Sequence, residues 1–112
     1  MMIELKEERI RKLAKNDRIA FKKHTALRMR QRGIFSEEVK EALQNCKVIE
    51  RYPNDYPLPS GLVIGYTKVK RPIHAVVVID EEDEKEEMAW IITVYEPNIS
   101  EWVEGFEKRR KK

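Results

Sequence analysis

The spacing of apolar residues changes about midway along the chain, near Lys47. Before that point apolar side chains recur at helical intervals, in residues 3–15 and again in residues 36–46. After it they gather into β-branched and aromatic runs, each the length of a strand. This order predicts an α+β fold in which helices come first and pack on a sheet.

Three helices are predicted in the first half. The first covers residues 3–15. The second runs from about Ile19 to Gln31 or Arg32 and ends at Gly33, in the C-terminal position that glycine favours. The third begins at Ser36, an N-cap followed by two glutamates that suit the positive end of a helix dipole.

Four runs in the second half predict strands, namely KVIERY, GLVIGYTKV, PIHAVVVID and EMAWIITVYE. HAVVVI is apolar on both faces and predicts the central strand, and the acidic segment DEEDEKEE predicts a hairpin loop after it. SEWVEGFEKRR predicts a short C-terminal helix capped by Ser100. The expected fold is one domain, with N-terminal helices on a three- or four-stranded, mainly antiparallel sheet and a short C-terminal helix.

Charge is segregated along the 112 residues, although the net charge is only +3. Residues 1–51 hold 14 Lys and Arg against 8 Asp and Glu, and residues 108–112 read KRRKK. Residues 80–87 hold seven acids and one lysine. The basic half favours a polyanionic partner such as nucleic acid. Ordinary solvated helix faces are the alternative.

The remaining composition narrows the class of protein. The single Cys46 cannot form an internal disulfide, which favours a reducing cytoplasm. The charged N-terminus is unlike a signal peptide, and no apolar run reaches the length of a membrane span. No Gly-rich phosphate loop and no paired-cysteine zinc motif is present. We therefore expect a cytoplasmic protein without a membrane partner, metal or cofactor.

Three residues on the second helix form a row of candidate functional side chains. His24, Arg28 and Arg32 stand four apart, so they share one stripe, whereas Arg30 points elsewhere. Like charges in one row repel slightly, which indicates that acids elsewhere or a phosphate hold the row together. The planar fork of arginine suits phosphate. A solvated basic face, with one arginine paired to the acidic loop, is the alternative.

The strands carry further candidates. Alternation puts His74 on the face of Val76 and Val78, either as a satisfied core histidine or facing a groove as a proton donor. In IITVYE, Ile91, Thr93 and Tyr95 are expected on one face, with Ile92 and Val94 on the other.

The proline-rich loop after KVIERY adds a last group. Tyr52, Asp55, Tyr56 and Ser60 lie in it or beside it. Tyrosines there favour either stacking on unpaired bases or packing over the sheet edge. Thr93, Tyr52 and Ser60 are the predicted substrate-binding residues.

The segments KHTALRMRQRGIFSEEVKEAL, VIERYPNDYPLPSGLVIGY, RPIHAVVVID and IITVYEPNISEW resemble the domain of unknown function 4258 family. The resemblance covers about residues 21–102 and leaves out residues 3–15 and the basic tail at 108–112. That family is similar to small toxins of the RelE and BrnT kind, which implies a RelE-like fold and metal-free cleavage of RNA. The recurring polar positions of the family fall on His24, Arg28, Arg32, His74, Thr93 and Tyr95.

The resemblance implies a toxin-like, metal-independent ribonuclease of a toxin–antitoxin pair, with RNA as substrate and a cognate antitoxin, of the zinc-finger type in some pairs, as partner. His24, Arg28, Arg32, His74 and Tyr95 are the expected catalytic residues. One histidine would be the base, His74 or Tyr95 would protonate the leaving oxygen, and the arginines would stabilise charge. A non-catalytic module that binds nucleic acid or protein is the alternative.

Overall fold

The computed structural model describes residues 5–56, 58–80 and 87–111. Their order is α1 (Glu7–Lys15), β1 (Ile19–Phe21), α2 (Lys23–Arg32), α3 (Ser36–Leu43), β2 (Lys47–Tyr52), β3 (Ser60–Tyr66), β4 (Pro72–Asp80) and β5 (Met88–Tyr95). Most of the predicted acidic loop, the first residues of the predicted first helix and residue 112 of the basic tail lie outside the described residues.

The five strands form one mixed sheet in the order β1-β5-β4-β3-β2. β1 runs parallel to β5, and the other three pairings are antiparallel. The prediction of three or four strands was therefore one or two strands short. The central position of β4 is confirmed, and its antiparallel pairing with β5 confirms the hairpin.

The additional strand is β1, which had been assigned to the second helix. Residues 19–21 form this strand, and their partners are Ala89, Trp90 and Ile91. α2 then begins at Lys23 and ends, as predicted, at Gly33, whose φ of 66° is left-handed. Three residues are too few to show the alternation of apolar and polar side chains that marks a strand. Pairing with β5 makes this segment a strand, and the sequence pattern does not report that pairing.

All three helices contribute to a core on one face of the sheet. α1 buries Ile10, Leu13 and Ala14, and α3 buries Val39, Ala42 and Leu43. The inward residues of β4 complete the layer, and these are Ile73, Ala75 and Val77. α3 begins one residue earlier than a cap at Ser36 implies. Phe35 is the N-cap instead, and its backbone N–H donates to Glu38 Oε1 at 3.0 Å.

β3 and α3 approach each other unusually closely. A Cβ placed on Gly65 would lie 2.0 Å from the carbonyl oxygen of Ala42. No side chain fits in that space, so glycine is required there to seat α3 on the sheet.

The C-terminal segment is not the predicted helix. Residues 96–111 form turns, with an antiparallel bridge between Trp102 and Arg109. Gly105 and Phe106 have φ values of 92° and 58°, which a right-handed helix excludes. The segment instead covers part of the outer face of the sheet, meaning the face opposite the helices, and buries Trp102 there.

In the part of the chain that the structure describes, no helix combines the length and apolar character that crossing a bilayer requires.

Candidate functional site

α2 lies along the part of β5 that β1 leaves unpaired. β1 pairs with β5 only as far as Ile91. Beyond that point Thr25 Oγ1 donates to the Ile92 carbonyl at 2.7 Å, and Arg32 Nη1 donates to the Val94 carbonyl at 2.6 Å. Side chains of α2 therefore satisfy backbone acceptors that a neighbouring strand would otherwise bond.

A cleft of about 250 Å³ lies between these two elements, and we call it the α2–β5 cleft. α2 contributes His24, Arg28 and Arg32 to its lining, and β5 contributes Ile92, Thr93 and Val94. The predicted row on the second helix does face one space. Thr93, predicted from a separate strand, shares that space.

The α2–β5 cleft is basic and its charge is unbalanced locally. α2 reads KHTALRMRQR and contains no acid. Neither His24 nor Arg28 has a hydrogen-bond or ion-pair partner among the described residues. Arg32 uses one nitrogen on a backbone carbonyl and keeps the rest of its five-donor guanidinium. Exposed arginines without an acidic partner along one wall are suited to an anionic ligand.

A β-bulge determines which residues of β5 face which way. Val76 pairs with Thr93 but Val77 pairs with Ile91, so Ile92 is an extra residue. Ile91 and Val94 consequently both join the core under the helices. Thr93 and Tyr95 share the outer face of the sheet, and their lying on one side matches the prediction, whereas the expectation that Ile91 accompanies them was wrong.

His74 is fully buried on the outer face, with both ring nitrogens engaged. Its Nε2 lies 2.8 Å from the carbonyl oxygen of Phe106, so this nitrogen carries the proton and donates. Its Nδ1 then accepts from the Tyr95 hydroxyl at 3.1 Å. The indole of Trp102 meets the imidazole edge to face, with 4.4 Å between centroids. Burial lowers the pKa of His74 and raises that of Tyr95.

His74 and Tyr95 therefore belong to a different environment from the row on α2. Neither residue lines the α2–β5 cleft. Covered by the C-terminal segment, the imidazole has no exposed surface from which to exchange a proton with a ligand. Of the two interpretations offered by the sequence for His74, the geometry matches the satisfied core histidine.

The predicted residues on β2 and β3 also have internal partners. The Tyr52 hydroxyl donates to Glu50, and Ser60 donates to Asp55. Glu50 is paired in addition with Arg109, whose Nε lies 2.7 Å from Oε2. That hydrogen bond lowers the pKa of the Glu50 carboxyl. Arg109, which belongs to the basic tail, thus pairs with a residue of β2.

A second cavity, of about 330 Å³, opens on the outer face beside the α2–β5 cleft, and we call it the outer cavity. Val76, Val78 and Ile92 lie in its apolar floor. Ser60 and Asp55 also line it.

Two residues of the outer cavity are not indicated by any pattern in the sequence. Lys22 Nζ stands 4.7 Å from the centroid of the Trp90 ring, in cation–π geometry. Lys22 precedes α2 and Trp90 lies on β5, so only the pairing of β1 with β5 brings them together.

No group of three or more His, Cys, Asp or Glu side chains within the described residues has the geometry to hold a metal ion. The expectation of metal-free chemistry therefore stays a prediction.

Comparison with known proteins identifies one family. The family model described as "Domain of unknown function (DUF4258)" matches residues 21–96, which include α2, the row and all of β5. No significant match was found among curated proteins or among solved structures. Because the family model spans more than half of the chain, this protein belongs to the DUF4258 family.

Proposed function

We propose that this protein binds single-stranded RNA, with the phosphodiester backbone in the α2–β5 cleft. One observation carries the proposal: His24, Arg28 and Arg32 line the same cavity, beside the part of β5 that β1 leaves unpaired. The cleft is formed by one helix and one strand, so it suits a single backbone better than a duplex.

The electrostatics favour a phosphate over other ligands. Arginine donates two parallel hydrogen bonds to a phosphate, and charge-assisted bonds of this kind are about twice as strong as neutral ones. The Thr93 side chain lies opposite the arginines and adds a hydroxyl that can donate to a phosphate oxygen.

α2 provides a matched pair of variants for testing the proposal. Arg28→Ala removes a cation from the α2–β5 cleft, whereas Arg30→Ala removes an exposed cation that does not line it. Arg28→Ala should weaken binding of a single-stranded oligoribonucleotide by roughly tenfold or more. The slope of log K against log salt should fall in magnitude by about 0.7, the single-strand value for one phosphate contact.

Arg30→Ala should retain both the affinity and the slope of the wild type. Equal losses in the two variants would mean that only general charge attracts the RNA, and would remove the cleft as the site. Parallel titrations with DNA of the same sequence test whether RNA is preferred.

A second candidate function is metal-independent cleavage of RNA, and the position of His24 favours it. His24 is the one histidine exposed to the α2–β5 cleft, and it stands beside two arginines. A neutral imidazole there would take the proton of a ribose 2′-hydroxyl as that oxygen attacks the adjacent phosphorus. The bond to the 5′-oxygen breaks, solvent protonates that oxygen, and the arginines stabilise the added negative charge.

The two functions are separated by incubating the protein with labelled RNA in chelator and mapping the ends. Cleavage by this route leaves a 2′,3′-cyclic phosphate and a 5′-hydroxyl. His24→Ala should reduce the rate by about 10²–10⁴-fold while the RNA still binds. Intact RNA after prolonged incubation with wild type would leave the binding function alone.

The cellular role that we propose is that of a toxin paired with an antitoxin, of the zinc-finger type in some pairs, with a RelE-like mode of action. This role rests on the expectation, made from the sequence, that the DUF4258 family is similar to toxins of the RelE and BrnT kind. Induced expression of the wild type should arrest growth, and expression of Arg28→Ala should not. Normal growth at equal protein levels of wild type and Arg30→Ala would contradict the toxin role.

A further inference from the structure

The outer cavity adjoins the α2–β5 cleft through a shared residue. Ile92, the extra residue of the β5 bulge, lines both. Lys22, which lines the outer cavity, directly precedes α2, whose row lines the cleft. A chain held by its phosphates along α2 therefore passes within reach of the outer cavity.

The lining of the outer cavity differs from that of the α2–β5 cleft. Its floor is aliphatic, and the half-buried indole of Trp90 forms part of its wall. The Tyr56 side chain is 95% exposed at its rim. Aromatic rings left accessible beside a basic cleft are the usual platform for unpaired bases, because every base offers a π face.

The two carboxylates of the outer cavity oppose a phosphate inside it. Asp55 and Asp80 both line it, and two carboxylates repel an anion. Carboxylates accept hydrogen bonds from the amino and imino N–H groups of a base edge. The volume of about 330 Å³ is at the small end of ligand sites, which suits one base and not a larger group.

We propose that the outer cavity binds one unpaired nucleobase of the RNA whose backbone lies in the α2–β5 cleft. This inference rests on the proposed RNA-binding function. Trp90 and Tyr56 stack on the base, and the Lys22 ammonium binds the phosphate that joins cavity and cleft. The outer cavity thereby contributes affinity from the base, and the cleft contributes affinity from charge.

The experiment compares two hexamers with identical ribose–phosphate backbones, one carrying bases and one abasic throughout. Wild type should bind the base-containing hexamer roughly 5- to 150-fold more tightly, the range that one stacked base supplies. Trp90→Leu and Tyr56→Ala should each reduce that preference and leave binding of the abasic hexamer unchanged. The exposed position of Tyr56 makes its variant a test that does not depend on refolding of the sheet.

Phe35→Ala is the matched control, because Phe35 is another exposed aromatic ring, 71% accessible, that lines neither cavity. It should keep the full preference. Tryptophan fluorescence gives an independent signal: the base-containing hexamer should quench emission in wild type but not in Trp90→Leu, where buried Trp102 remains.

The outcomes separate the two proposals. Equal, salt-sensitive binding of both hexamers by wild type would overturn the base site and keep the phosphate cleft. Failure of both hexamers to bind would overturn the RNA-binding function and the base site together.

Discussion

His74 and Tyr95 are register partners on β4 and β5, and the Tyr95 hydroxyl donates to His74 Nδ1 across 3.1 Å. The other imidazole nitrogen donates to Phe106, so one side chain joins two central strands to the C-terminal segment. His74 and Tyr95, which were expected to be catalytic, thus link parts of the fold to one another. The proposed RNA-binding site at the α2–β5 cleft therefore uses other residues, which lie on α2 and at the bulge of β5.

Tyr95→Phe should destabilise the protein by about 1–3 kcal/mol, because it leaves the Nδ1 of a buried histidine without a donor. Urea denaturation measures the change. Tyr66→Phe is the control, since that hydroxyl lies on an exposed side chain and reaches Gly105 only at 3.4 Å. RNA binding by Tyr95→Phe should be unchanged below the unfolding transition, and a selective loss of binding would assign Tyr95 to the site after all.

Stability should fall as the pH drops below about 6.5, the ordinary pKa of histidine. Burial holds the pKa of folded His74 below that value, so the unfolded chain binds the extra proton first. The stability that neutral, buried His74 contributes is fully present above pH 6.5, and it is lost as the pH falls towards the pKa of His74 in the folded protein. Thermal unfolding between pH 5 and 8 tests this.

His74→Gln is the comparison for the pH series, because glutamine can still donate to the Phe106 carbonyl but does not titrate. Its melting temperature should vary less than that of wild type between pH 5 and 6.5. An identical profile in the two proteins would show that other groups set the pH dependence.

Gly65→Ala should cost about 3 kcal/mol or more, at the upper end of overpacking effects, because the new methyl group meets the Ala42 carbonyl. Gly33→Ala is the matched substitution. Nothing lies within 4 Å of its Cβ position, so only the left-handed φ of 66° opposes the change, at roughly 1–2 kcal/mol. Chemical denaturation of both variants should reproduce this order, and a reversed order would contradict the close approach of α3 to β3.

Cys46 should be nearly inert in the folded protein. It is fully buried, and burial raises the pKa of its thiol to about 12 from an ordinary 9.0. At pH 8 the thiolate fraction is then lower by about 10³-fold. A disulfide reagent such as DTNB should react rapidly in denaturant and very slowly without it. Rapid reaction of the native protein would mean that the region around α3 opens readily.

The strands were predicted well where local pattern and tertiary structure agree. Residues 47–52 and 72–80 are strands with the expected bounds, because β-branched runs bounded by loop residues carry their own signal. β1 failed, since Ile19–Phe21 becomes a strand through pairing with residues 70 positions later. The C-terminal helix failed because packing of Trp102 on His74 outweighs the helical preference of its neighbours.

The candidate site was also predictable where a local sequence pattern determines which residues share a face. Positions four apart on a helix share a face whatever the fold, so the sequence could place His24, Arg28 and Arg32 together. Strand alternation holds only without a bulge, so the extra residue Ile92 could not be located. Lys22 and Trp90 come into contact because β1 pairs with β5, and no local sequence pattern predicts that pairing.

The position of α2 along β5 also bears on how readily the sheet can pair with other molecules. Bare strand edges recruit further strands from other molecules, and that is a common beginning of aggregation. Here β1 pairs with only three residues of β5, and α2 lies along the edge of β5 beyond them. At the opposite margin β2 carries Lys47 and Arg51 and an irregular register between Val48 and Glu50. Both margins of the sheet thus discourage self-association, and a basic surface can remain accessible to ligand without promoting precipitation.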